Sequence, residues 1–289
     1  MPFRSVISPH SVLLLCFLCS LLMTACIERE EGCLDVAAVN FAADADLPCP
    51  DSCCTYPSLR LELQHRIHTA ERPDTLIRFF YDSTYAVLPD TTVKFAFDSI
   101  RFFLSDFEMI REDGSTASVT DRLELTDATG ETISLIDDLF IAERNSFGVQ
   151  TLGDFRTEGR FTGVRFLLGI EEALRTADAA SLPTDHPLVD QNNEFNTTTD
   201  GYTALSLRLR QPPATDDTTA LRIVTATPIE LSFESVFIEP GFDVKLTLAV
   251  DYLDWFEGVL VNDATDAELR DHIRNAFSNS FEVIAVSLE

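Results

Sequence analysis

The chain is poor in the residues that usually announce chemistry. In 289 residues it has one Trp, three Met and five His. Basic residues number 21 against 48 acidic ones, a formal net charge of −27. Such a surface repels nucleic acid and anionic headgroups, so no nucleic-acid partner is expected. No G-x-S-x-G elbow, H-E-x-x-H helix or phosphate-cradling glycine loop occurs. The common hydrolase, zinc-protease and nucleotide-binding signatures are therefore missing. Paired acids abound, but in so acidic a chain they point nowhere, and no enzymatic activity is expected. Regular alternation of strands with long helices is also missing, which excludes a parallel α/β fold.

What is present begins with an address. Arg4 precedes an apolar run from Val12 to Met23, too short for a bilayer span of about 20 residues and suited to a signal-peptide core. Thr24 and Ala25 then precede Cys26 in "LLMTAC", which resembles a lipobox. The expectation is a lipoprotein signal peptide over residues 1–25 and a lipidated Cys26 that attaches the chain to a membrane. The rival is an ordinary secretory signal with Cys26 left as a thiol. The acidic "IEREE" that follows reads either as a surface-export signal or as a solvated tether. The expected location is the cell envelope, as an outer-membrane lipoprotein that faces the periplasm or the cell surface.

Beyond Cys26 four cysteines remain: Cys33, Cys49, Cys53 and Cys54. An even number in an exported chain points to disulfides. A direct link between the adjacent Cys53 and Cys54 is strained, so each is expected to pair with Cys33 or Cys49. A zinc site is the alternative, although C-x3-C-C lacks zinc-ribbon spacing. Residues 33–56 resemble a short cysteine-bounded motif of bacterial surface proteins. Gly32, Cys33, Asp35, Ala38, Asn40 and Phe41 match its first half; Asp51, Ser52, Cys53 and Tyr56 match its second. Asp35, Asn40, Asp44, Asp46 and Asp51 are oxygen donors suited to calcium, but not at EF-hand spacing. A stapled spacer over 26–58 without calcium is the other reading.

From Leu59 the pattern turns to strands. "LRLELQHRI", "TLIRFFY", "VKFAFDSIRFFLSDFEMI", "RFTGVRFLLGI", "YTALSLRLR", "ALRIVTA", "IELSFESVFI" and "FDVKLTLAVDY" are separated by "EDGS", "DATGET", "LPD", "QPPATDD" and "EPGF". Many short strands with turn signals between them predict an all-β, antiparallel sandwich over residues 59–289. "EEALRT" reads as a short helix. "DATDAELRDHIRNAFSNSF" reads as a C-terminal helix, with Asp263 or Thr265 as N-cap and Leu269, Ile273 and Phe277 on one face. The Phe-rich strands are expected to fill two inner faces.

Several of these stretches together resemble the MbnP-like family, exported proteins related to the methanobactin-associated copper-binding protein. "LRLELQHRI" resembles the family's opening strand, which often carries a His where His65 stands. "FDSIRFFLSDFEMI" resembles its "F-x-Y-Y-(I/L)-S-N-(I/F)-x-L" strand, with Asp106 in place of Asn. "FTGVRFLLGI", "LTLAVDYLDWFEG" and "IRNAFSNSFEV" resemble later strands and the closing region. His186, Pro187, Gly201 and Tyr202 match parts of "H-P-L-x-G-M-x-W-x-W-x-x-G-Y", but the Gly-Met and both Trp of that stretch are replaced by "VDQNNEFNTTTD". The resemblance implies a β-sandwich, copper binding or handling, and a possible di-haem MauG-type partner that oxidises a Trp to kynurenine. Trp255 is the one Trp that such a partner can oxidise; otherwise it is core packing.

The resemblance makes His65 and His186, with His68, the expected metal ligands, since imidazole suits copper. The plain alternative is a cross-strand His65 and a loop His186. Residues three apart on a regular strand face opposite sides, so His65 and His68 share a metal only if the strand bulges near Ile67. His272, among charges on the C-terminal helix, reads as solvated. The rival to a metal binder is a cell-surface module for protein or glycan partners that keeps the fold without a metal.

Overall fold

A computed structural model describes residues 29–50, 53–69, 72–81, 83–87, 90–126, 129–143, 148–175, 182–184, 186–189, 196–197, 201–211 and 218–289. The expected signal peptide and Cys26 lie outside these residues. In chain order the strands are β1 (Glu31–Gly32), β2 (Leu47–Pro48), β3 (Ser58–Thr69), β4 (Arg72–Arg78), β5 (Ala96–Arg111) and β6 (Thr116–Ala117). Then follow β7 (Arg122–Thr126), β8 (Thr132–Ile136), β9 (Phe140–Ala142), β10 (Val149–Asp154), β11 (Gly159–Leu168) and helix α1 (Glu172–Arg175). The rest are β12 (Asn196–Thr197), β13 (Gly201–Tyr202), β14 (Leu205–Arg210), β15 (Thr218–Ile223), β16 (Thr227–Ile238), β17 (Val244–Asp251), helix α2 (Asp266–Ala276) and β18 (Phe281–Leu288).

Two sheets face each other. One runs β10-β3-β17-β18 with β4 on β3; the other runs β15-β14-β5-β11-β16 with β6 and β9 on β5. The pairings within these two sheets are antiparallel except for one: β3 and β17 lie parallel, with Leu59 opposite Val244 and Arg66 opposite Asp251. The alternation in β3 is what makes it an inner strand: Leu59, Leu61, Leu63 and Ile67 are buried while the residues between them are not. Phe102, Leu104, Phe107 and Phe166 meet them from the opposite sheet, with Tyr252, Trp255 and Phe256 closing one end. The phenylalanines pack edge-on or tilted for the most part, as with Phe95 against Phe97 at 5.4 Å and 70°. This is the all-β sandwich that the strand pattern predicts.

A second apolar cluster covers the outer face of the larger sheet. Phe103, whose neighbours Phe102 and Leu104 point inward, packs there with Leu123, Leu125, Leu182, Leu188 and Tyr202. Beside this cluster β5 carries a bulge. Its register with β11 shifts opposite Arg165 and Leu167, and Asp106 has φ 56°. The freed N–H groups of Asp106 and Phe107 donate to Asp138 Oδ1 and Oδ2 at 2.8 and 2.5 Å.

The C-terminal helix starts at Thr265, one of the two expected N-caps, where a capping box forms with Glu268. Leu269, Ile273 and Phe277 are buried. His272 is half-buried with its Nε2 enclosed rather than solvated. In the N-terminal segment Cys33 is bonded to Cys54 and Cys49 to Cys53. Asn40 braces the segment by bonding Cys53 O and Thr55 N, and Asp35 accepts from Ala37 N and Tyr56 Oη.

Candidate metal centre

The parallel pairing of β3 and β17 makes both strands finish at the same end of the sandwich. The apolar run of β17 stops at Asp251, and Asp254 opens a single 3-10 turn, Asp254–Phe256. On β3 the register with β4 shifts between Ile67 and Thr69, so the strand is irregular at His68. A bulge re-aims the side chain that it carries. His68 thereby meets the two aspartates.

The His68 backbone N–H donates to Asp251 Oδ2 at 3.0 Å, and its Nδ1 lies 2.5 Å from the same oxygen. Asp254 Oδ1 is 3.4 Å from that Nδ1. Asp251 Oδ1 accepts the Leu253 N–H at 2.9 Å, which fixes the carboxylate plane. Donor atoms of all three residues lie within 4.8 Å of one another. Their side chains are 18%, 6% and 27% exposed, so the cluster is half sunk but reachable. It opens into a cleft of about 360 Å³ whose walls include Asp74, Glu257 and Glu282.

The electrostatics follow from crowding. The hydrogen bond to Asp251 holds the His68 imidazole above its ordinary value, with burial acting the other way. Burial, and then the Asp251 charge, push Asp254 up to about 6, while His68 pulls it down. One imidazole nitrogen thus lies within ion-pair distance of two carboxylates, an arrangement whose oxygens and nitrogen can share a cation.

The three histidines expected to act together do not form one centre. Among the described residues, the groups of three His, Cys, Asp or Glu donors include neither His65 nor His186. His65 stays on the inward face of β3, and its Nδ1 is 2.5 Å from the hydroxyl of Tyr252. Burial raises the Tyr252 phenol well above its ordinary value, so the hydroxyl stays protonated in this contact. His186 sits beside the outer cluster. Its Nδ1 accepts the Leu188 N–H at 3.2 Å, and its Nε2 is 3.6 Å from Asp137 Oδ1. That is the bonding of a loop histidine that caps a turn. The irregularity near Ile67 is present, but it turns His68 toward Asp251 rather than toward His65.

Trp255 is fully buried and donates from Nε1 to Ser280 Oγ at 2.9 Å. The other group of three donors among the described residues, Cys49, Cys53 and Cys54, is taken up in disulfides. No three carboxylates of residues 33–56 gather among the described residues, and Asp51 lies outside them. Sequence reasoning missed Asp251 and Asp254. Their one signal was two acids three apart at the end of the apolar run "KLTLAVDYLD".

Taken together, fold and site define a disulfide-stapled β-sandwich with a candidate metal centre at one end. The MbnP family model matches residues 56–272, most of the chain, and the chain belongs to that family. Among solved structures, MbnP from Methylosinus trichosporium aligns at 10% identity with a TM-score of 0.41, over 78% of this chain and 99% of that one. No curated protein matches the chain.

Proposed function

We propose that this protein is an exported metal-binding protein, tethered to the envelope through Cys26, that handles copper or a related transition metal by binding rather than catalysis. The observation that carries the reading is the convergence of His68, Asp251 and Asp254 on an acidic cleft. Membership of the MbnP family, which the sequence resemblance ties to copper, supports it. The donors test the fit. Among the described residues every cysteine is in a disulfide, and Met109, the one described methionine, is fully buried. The residues present therefore suit an imidazole- and carboxylate-bound ion.

A second reading, a surface module for protein or glycan partners, is favoured by one observation. Leu34, Val36, Val39 and Phe41 stand 42–65% exposed on the stapled N-terminal segment. Elemental analysis of the purified chain after incubation with copper and zinc salts separates the two. The metal reading expects one ion per chain, with His68→Ala and Asp254→Asn each weakening retention tenfold or more. A wild-type chain that retains no metal moves the assignment to the second reading.

A further inference from the structure

We infer that the centre selects an oxidised, divalent ion of the cupric or zinc class over the cuprous ion. This rests on the metal-binding reading and adds the ion's class to it. The family resemblance implies copper held by histidines, whereas this cluster offers one imidazole nitrogen and two carboxylate oxygens. Cuprous copper prefers soft sulfur donors, while nitrogen and oxygen donors suit divalent first-row ions, cupric copper most tightly. A second imidazole is not at hand: among the described residues, neither His65 nor His186 joins the His68, Asp251 and Asp254 group, whose donor atoms lie within 4.8 Å of one another.

Charge argues the same way. Asp251 and Asp254 face the ion, and exposed Asp74, Glu257 and Glu282 line the same cleft. Coulomb attraction scales with the ion's charge, so a lining whose carboxylates face no Lys or Arg among the described residues favours a divalent ion over a monovalent one by a factor of about two in attraction at equal distance. The cleft also leaves room for water to complete the coordination that carboxylates begin. The Leu253 and His68 N–H groups orient the two Asp251 oxygens, and an ion taken up there replaces the proton between His68 Nδ1 and Asp251 Oδ2.

The experiment uses the full chain in detergent. Cupric copper is added to one equivalent and read by electron paramagnetic resonance; zinc is titrated calorimetrically. Cuprous copper is measured anaerobically against bicinchoninate. The expected result is one cupric ion with hyperfine coupling to a single nitrogen, and a cuprous affinity at least 100-fold weaker. His68→Gln removes the nitrogen coupling; His65→Gln and His186→Gln leave it unchanged. Tighter cuprous binding, coupling to two or more nitrogens, or loss of coupling in the His65 or His186 variant overturns the inference while leaving a metal-binding protein. Failure to bind any of the three ions overturns the inference together with the reading beneath it.

Discussion

Asp138 supplies the sharpest test of the fold's electrostatics. It is 2% exposed and accepts the two N–H groups that the β5 bulge releases at Asp106 and Phe107. Burial dominates those bonds and raises its titration midpoint from the ordinary 3.8 to about 7. A carboxyl that keeps its proton when folded and loses it when unfolded is stabilising at low pH. That stability falls as pH rises from about 4 to about 7 and is flat above. Each pH unit within the window is worth about 1.4 kcal/mol. Working above the sequence pI of 4.3, the part of the window between pH 5 and 7 amounts to roughly 3 kcal/mol.

Asp138→Asn isolates this term, because the amide has the shape of the protonated acid and does not titrate. Urea unfolding is followed by the fluorescence of Trp255, the single Trp and fully buried, at several pH values from 5 to 8. Near pH 5 the variant is expected to be less stable by about 1–3 kcal/mol, because the Asn Nδ2 cannot accept one of the two N–H groups that Asp138 satisfies. By pH 8 the balance is expected to have moved by roughly 3 kcal/mol in favour of Asn. A difference that stays constant over this range refutes the argument. That constant difference is what a carboxylate kept ionised by its two N–H bonds against burial would give, since it is then charged in both states throughout the range.

Two further outcomes follow from hydrogen bonds already described. His186→Ala leaves the buried Leu188 N–H without its acceptor, so stability should fall by about 1–3 kcal/mol while metal stoichiometry by elemental analysis stays unchanged; lost metal would make His186 a ligand after all. Thr265→Ala removes the capping box of α2, which should cost about 1 kcal/mol and lower Tm by about 2–4 °C in a calorimetric scan; an unchanged Tm would show that packing of Leu269 and Ile273 alone sets the helix start.

How much was legible varies with the physics behind each signal. The alternation of β3, the Phe-rich β5 and the Thr265 start were readable, because each is a local pattern with one burial partner. The ribbon of β7 and β8 was not read as strands: Leu123, Leu125, Ile133 and Leu135 cover the outer cluster with too few apolar residues to stand out. Asp106 in place of the family strand's Asn has a backbone reason. The position has φ 56°, and Asn and Asp are the side chains that tolerate it. The site residues were less legible. His65 and His186 stood out through the family resemblance, but hydrogen bonds to Tyr252 and Leu188 absorb their Nδ1 atoms. Asp251 and Asp254 were lost among 48 acids, since no sequence pattern distinguishes a solvated carboxylate from one aimed at a histidine.

What the sequence could least disclose is also what builds the centre. Antiparallel pairing is the default reading for neighbouring strands in an all-β chain, and it would have set Asp251 at the opposite end of β3 from His68. The parallel register instead places Val250 beside His65 and Asp251 beside Arg66, so both strands leave the sheet together. Residues 183 positions apart in the chain then meet through a backbone N–H, an imidazole and a carboxylate. Two of the three donors, His68 and Asp251, are mounted on strands of the core, and Asp254 on the turn that follows β17. An ion held there ties the ends of β3 and β17 to the turn at Asp254. The position of the centre is thus a consequence of strand order, and residues that only look unremarkable in sequence acquire chemistry from it.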